Sequence, residues 1–274
     1  MTEDLPLEYG ELAELYEAIN DQFIDYDEQA AFVREAVGRW RPEAHRVLDV
    51  GCATGPHARR LAAAGFEVVG ADLSERLIQV ARRRGREEPH HCEFLVADGA
   101  ALPFDGAFDV ALCLNFVFSA FLTNHAVRGA AEGMARALRP GGVLVMDHHA
   151  FFPPPKEASA GPGEILRCAQ NDSPGGEWEE RCRLGEVELA MRHRQRLDYF
   201  TGICDDEMLY RFLRGETVVR ELPSREHRRV MLPQDLLLIL AFAGFETLGC
   251  FERWNLARPS HGPTMAVVAR KRRG

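Results

Sequence analysis

The sequence predicts an α/β fold, a doubly wound and mostly parallel sheet of seven strands with helices on both faces, preceded by helices and interrupted by a small antiparallel β insert. Three observations carry that expectation. From residue 46 onward, short apolar runs alternate with helical stripes. The first run ends in a glycine-rich turn, Asp49-Val50-Gly51-Cys52-Ala53-Thr54-Gly55, that opens directly into a helix. Later, residues 186 to 199 alternate polar and apolar side chains with period two.

Before the sheet, Leu12, Leu15, Tyr16 and Ile19 recur at helical spacing, and so do Phe32, Val33, Ala36, Val37 and Trp40. Two amphipathic helices therefore precede Pro42. The first strand is Arg46 to Val50, and Pro56 suits the first turn of the helix behind it. A second strand, Phe66 to Ala71, ends at Asp72, where Ser74 can cap the next helix. Strand three, Glu93 to Ala97, ends at Asp98, and strand four spans Phe108 to Leu114. A helix striped by Val127, Ala130, Ala131, Met134 and Leu138 stops at Pro140-Gly141-Gly142, and strand five is Val143 to Asp147.

After Ala150 the rhythm breaks. Proline and glycine clusters make 152–177 a long loop. The alternating strand of 186–199 follows, then a hairpin of Met208 to Leu213 and Thr217 to Glu221 around Arg214-Gly215-Glu216. The helix Pro233 to Ala243 is apolar all round, which predicts burial. Two strands close the chain, Phe245 to Phe251 and Thr264 to Arg270. The expected organisation is a helical cap (1–44), a cofactor-binding core (45–150 with 232–274) and an insert (151–231).

Composition narrows the function. With 274 residues, 46% hydrophobic and 27% charged, the chain has the make-up of a soluble enzyme. A net charge of −9 argues against a nucleic-acid backbone as partner. Seven cysteines at irregular spacing indicate neither a disulfide framework nor a zinc site, so no metal is expected. The acidic, polar start does not read as a leader peptide, and the apolar run 236–244 is too short for a bilayer. A cytoplasmic protein is the expectation.

A strand, a small-residue turn and a helix N-terminus suit a nucleotide-like cofactor. A dinucleotide would favour GxGxxG, yet the three glycine positions here read Gly51, Ala53 and Pro56. The segment instead resembles motif I of the class I S-adenosylmethionine-dependent methyltransferases, with Ala53 in place of the commoner glycine. Further matches follow in register: Asp72, Asp98 with Gly99-Ala100-Ala101-Leu102-Pro103-Phe104, Leu138-Arg139-Pro140-Gly141-Gly142, and Ala243-Gly244-Phe245 before the last strand pair. The resemblance implies a Rossmann-like sheet whose last strand inserts antiparallel. It also implies S-adenosylmethionine as cofactor. Asp49, Gly51, Cys52, Ala53 and Gly55 would cradle its methionine end. Asp72 with Leu73 would take the ribose, and Asp98 with Gly99 and Ala100 the adenine. Leu114 and Asn115 would complete the edge. The segment Tyr9 to Tyr26 resembles the start of glycine/sarcosine and amino-sugar N-methyltransferases, which adds Tyr16 and Tyr26 as residues closing over the cofactor; core packing is the competing reading for Tyr16.

For the acceptor, ligands of such sheets lie across the carboxyl ends of the strands. His148 and His149 after strand five are candidate bases, as is His193 on the insert, each weighed against a structural histidine. Tyr199 and Tyr210 are candidate pocket walls. The favoured function is methyl transfer to a small-molecule nitrogen or oxygen. A macromolecule methyltransferase lacks a basic stripe and an Asn-Pro-Pro-Tyr-like tetrapeptide, since that slot reads Leu114-Asn115-Phe116-Val117. A non-catalytic binding module sits poorly with intact Asp49, Asp72 and Asp98.

Overall fold

A computed structural model describes residues 9–149, 176–252, 254–260, 262 and 264–273. The described parts of 1–24 and 151–230 form one compact unit, and those of 25–150 and 231–274 form another.

The larger unit holds α2 (Tyr26–Trp40), β1 (Arg46–Val50), α3 (Pro56–Ala63), β2 (Glu67–Asp72), α4 (Glu75–Glu87), β3 (Cys92–Val96), β4 (Phe108–Cys113), α5 (Asn124–Ala137), β5 (Leu138–His149), α6 (Pro233–Phe242), β10 (Phe245–Glu252), β11 (Asn255–Pro259) and β12 (Thr264–Lys271). The smaller unit holds α1 (Tyr16–Asn20), β6 (Glu177–Leu184), β7 (Val187–Asp198), β8 (Ile203–Arg214) and β9 (Thr217–Arg229).

In the larger unit the strands order as β11-β10-β12-β5-β4-β1-β2-β3. Strands β3, β2, β1, β4 and β5 are parallel, and β12 runs antiparallel between β5 and β10. The seven expected strands are all present with the last one antiparallel, and β11 adds an eighth at the edge. One core cluster joins Leu48, Val50, Cys113, Met134, Leu236 and Leu240; another, on Val47, Leu112 and Val145, takes in Phe32 and Val33 of α2. Helix starts follow sequence chemistry: Asp25 caps α2 by accepting from Asp27 and Glu28 N–H, and Ser74 Oγ accepts from Leu77 N–H at 3.2 Å.

At the amino ends of these strands, Asp109 accepts from the N–H groups of His45 and Arg46 at 3.0 Å each and from Arg139 at 2.8 Å. Burial raises its pKa, but the N–H groups of Arg46 and His45 and the Arg139 guanidinium outweigh that, leaving it below the ordinary range.

Three expectations need correction. Helix α6 is not buried all round. Leu236 and Leu240, one turn apart, pack on the sheet, whereas Leu238 and Phe242 on the opposite side are 56% and 82% exposed. Pro140-Gly141-Gly142 does not end the preceding helix, which stops at Ala137. It forms a bulge inside β5, with Gly141 at φ 75° and the register against β4 shifting between Phe108 and Val110. The first helical stretch is a 3₁₀ turn, Ala13–Leu15, followed by only five α-helical residues.

The smaller unit is a four-stranded antiparallel sheet, β6-β7-β8-β9. Its hairpin is longer than expected, and β6 was not foreseen. Pro223 within β9 is tolerated because β9 is an edge strand. Leu12 and Ile19 pack on Cys182, Leu189, Met191, Tyr210 and Phe212. Among the described residues, no helix is long and apolar enough to cross a membrane.

Candidate functional site

The turn after β1 is built from left-handed residues. Gly51 (φ 73°), Ala53 (φ 49°) and Gly55 (φ 80°) all have positive φ. A side chain at Gly51 would also come within 2.5 Å of Val117, and one at Gly55 within 2.6 Å of the Phe94 ring. Gly51 and Cys52 donate to Ala71 O, which docks the turn on β2. Pro56 then begins α3, so no backbone N–H is lost there.

Asp49 on β1 is 1% exposed, and its Oδ2 has no hydrogen-bond partner among the described residues. Burial, reinforced by the charge of Asp72, raises its pKa to about 7. Asp72 ends β2 and is already engaged: Oδ2 accepts from Ala53 N–H and Oδ1 from Ser74 N–H, both at 2.9 Å. Burial pushes its pKa up despite those donors. Each carboxylate oxygen keeps a second lone pair. Asp98 is exposed; its Oδ1 accepts from Ala100 N–H at 2.8 Å and caps the 3₁₀ turn Gly99–Ala101. That turn is tightly packed, since a side chain at Gly99 would meet Phe121 at 2.7 Å. Leu73 is 57% exposed beside Asp72, while Leu114 is buried.

Sequence reasoning missed the order imposed around Asn115. Asn115 (φ 57°) and Phe116 (φ 62°) are consecutive left-handed residues, and their N–H groups donate to Asp147 Oδ2 and Oδ1 at 3.0 and 2.8 Å. The Asn115 side-chain oxygen accepts from Gln29 Nε2 at 2.9 Å, and Gln29 Oε1 lies 2.6 Å from His57 Nε2. The edge of the Tyr26 ring faces His57 at 5.0 Å. Burial, then nearby Arg60, lowers the His57 pKa to about 3, so this imidazole is neutral. Burial raises Asp147 to about 7 against the donors Phe116 and Asn115. Helix α2, the α3 start, the β4 loop and β5 thus share one polar chain that includes the predicted Asn115, with the ring of the predicted Tyr26 packed against its His57. The signals were faint: Gln29 stands one turn after Tyr26, and His57 just past the glycine-rich turn, in the first turn of α3.

The three candidate bases separate. His148 is 5% exposed with Nε2 2.9 Å from Met231 O; a carbonyl only accepts, so this nitrogen carries the proton. Burial lowers its pKa. The His149 side chain lies outside the described residues. His193 belongs to the smaller unit, where it pairs with Asp206. Tyr16 is also in that unit, buried and 6.3 Å from Tyr9. Tyr210 is buried in its core, and Tyr199 is 75% exposed at a turn.

A buried carboxyl oxygen without a donor among the described residues, a turn of left-handed residues and the carboxylates of Asp72 and Asp98 thus stand at the carboxyl ends of β1, β2 and β3. Comparison with known proteins identifies the family. Residues 47–142 match a family described as a methyltransferase domain. The chain is 35% identical to the dTDP-4-amino-2,3,4,6-tetradeoxy-D-glucose N,N-dimethyltransferase of Saccharopolyspora spinosa, over 49% of its own length and 53% of that protein. It is 37% identical to the demethylmenaquinone methyltransferase of Thermus thermophilus, over 55% and 67% of the two chains. The first of these matches thus spans about half of the relative. In fold, the amino pentose methyltransferase of Micromonospora echinaspora, solved with S-adenosylmethionine bound, superposes with a TM-score of 0.70 at 24% identity, covering 94% of this chain and 96% of that one.

Proposed function

We propose that this chain, which belongs to the S-adenosylmethionine-dependent methyltransferase family, transfers the cofactor's methyl group to a nitrogen or oxygen of a small molecule. The observation that carries the reading is the Gly51–Ala53–Gly55 turn held to Asp72, with the unpartnered Asp49 oxygen beneath it. When bound, the cofactor supplies a methyl on a positively charged sulfur, a good leaving group that an acceptor lone pair displaces in line.

The chain's own work is therefore binding, orientation and water exclusion. Asp72 has lone pairs left for ribose hydroxyls, and Asp98 has its second oxygen for the adenine amino group. The left-handed turn leaves the backbone close to the methionine end. Asp147 keeps Asn115 and Phe116 at the same edge. The family match ends at residue 142, and the two relatives above are named for unlike acceptors. Acceptor choice thus falls to the rest of the chain, and the acidic balance favours an amine.

Calorimetric titration with S-adenosylmethionine, then a panel of amines, phenols and carboxylates followed by release of S-adenosylhomocysteine, tests this. Failure to bind the cofactor would overturn it. Binding without turnover on any acceptor class would leave a binding module instead.

A further inference from the structure

One face of the four-stranded sheet is divided. By register, Cys182, Leu189, Met191, Tyr210, Phe212 and Leu222 share one half of it, against Leu12 and Ile19. The other half of the same face carries His193, Gln195, Asp206, Ser224, Glu226 and Arg228, with Trp178 beside His193 and the apolar Leu197, Cys204 and Met208 between them. Burying polar groups on a half-apolar face is costly unless they are satisfied.

They are not all satisfied. The Asp206 side chain is 4% exposed; its Oδ2 receives Gln195 Nε2 at 2.9 Å and lies 3.1 Å from His193 Nδ1. Its Oδ1 has no partner among the described residues, nor does His193 Nε2. In the neutral imidazole with Nδ1 donating to the carboxylate, Nε2 keeps a lone pair. The imidazole stacks on the Trp178 indole at 4.6 Å and 1°. Trp178 donates to Glu180 Oε1 at 3.2 Å. Among the described residues of this half the one guanidinium is Arg228, which is bonded to Glu226 at 2.5 Å and also feels the charge of Asp206. Asp206 and Glu226 together outweigh it. Two unsatisfied acceptors and excess negative charge beside an aromatic stack call for a donor-rich cation.

We propose that Asp206 and His193, backed by Trp178, form a binding site for an organic ammonium group carried on a hydroxylated ring. Asp206 Oδ1 and His193 Nε2 take the ammonium protons, and Gln195 and Ser224 offer the neighbouring hydroxyl contacts. That this amine is the methyl acceptor rests on the reading above; that it binds here does not.

The test uses the full chain and D-glucosamine as probe, with D-glucose as its uncharged counterpart. Glucosamine should bind at least tenfold more tightly than glucose, and Asp206→Asn should abolish that preference. The β-sheet circular-dichroism signal of the same variant, measured in parallel, should match the parent's, showing that the smaller unit still folds. Nitrogen NMR of the unaltered chain supplies a second readout: His193 Nε2 should shift on adding glucosamine while His148 does not. Equal affinity for both sugars, no binding of glucosamine, or an unmoved His193 signal would each overturn the site. Loss of cofactor binding by the unaltered chain would instead strike the methyl-transfer reading and leave the amine result standing.

Discussion

The backbone N–H of Ala53 donates to Asp72 Oδ2 at 2.9 Å, so the carboxylate expected to greet a ligand also holds the turn that would cradle it. Replacement of Asp72 therefore removes two things at once. Hydrogen bonds to charged groups contribute roughly 1.5–3 kcal/mol each. Asp72→Ala should weaken S-adenosylmethionine binding at least tenfold and lower the melting temperature of the free protein. Asp72→Asn, which can still accept one N–H, should fall between. Unchanged cofactor affinity in the alanine variant, measured by calorimetry, would contradict the assignment.

Asp49 sets a pH dependence. Its folded pKa of about 7 lies above the ordinary carboxylate value of 3.8, so the native state holds an extra proton between those limits. Its contribution to stability is full below pH 3.8 and is lost as pH rises through 7. Asp49→Asn should thus gain on the parent between pH 5 and 8, by on the order of 2–4 kcal/mol. Denaturant melts at the two pH values check it; parallel curves for the two proteins would sink the idea.

Asp147 holds consecutive residues in a conformation that costs non-glycine residues about 1 kcal/mol or more. Asp147→Ala should destabilise by roughly 2–4 kcal/mol and raise the KM for the cofactor. Phe116→Gly removes part of that conformational demand. It should be better tolerated in the Asp147→Ala background than in the parent, and additive effects in the double-mutant cycle would show that Asp147 does not act through the loop.

His148 donates to Met231 O. Its removal to Ala should therefore cost stability near α6, whereas His148→Gln, which can still donate, should keep most of the turnover. Equal loss of kcat in both variants, with stability intact, would restore His148 as a base.

Much of this was legible beforehand because it is written in local chemistry. Asp49 within β1, Asp72 at the end of β2, Asp98 just past β3, the Ser74 cap and the helix start at Pro56 each depend on residues a few positions apart. The rest depends on long-range pairing. Strand β6 was hidden although Trp178, Glu180, Cys182 and Leu184 alternate with Glu179, Arg181 and Arg183, because the neighbouring Pro174-Gly175-Gly176 reads as loop. Helix α6 misled because apolarity all round signals burial only when neighbours exist on every side. Nothing local ties Gln29 to Asn115, or His193 to Asp206; those partners meet only after β-strands and helices have docked.

The treatment of Asp109 has a sequel at the opposite end of the strands. There, arginine and backbone donors hold a carboxyl in its charged form, whereas Asp49 and Asp147 near the carboxyl ends have no basic partner among the described residues and sit at about pH 7. A cation arriving at that edge would complete their ionisation. Association of the sulfonium donor near neutrality should then expel protons into the buffer, and its heat should vary with the buffer's ionisation enthalpy. The spent thioether, one positive charge poorer, should expel fewer. Charge lost in the reaction would thereby loosen the protein's hold on what remains.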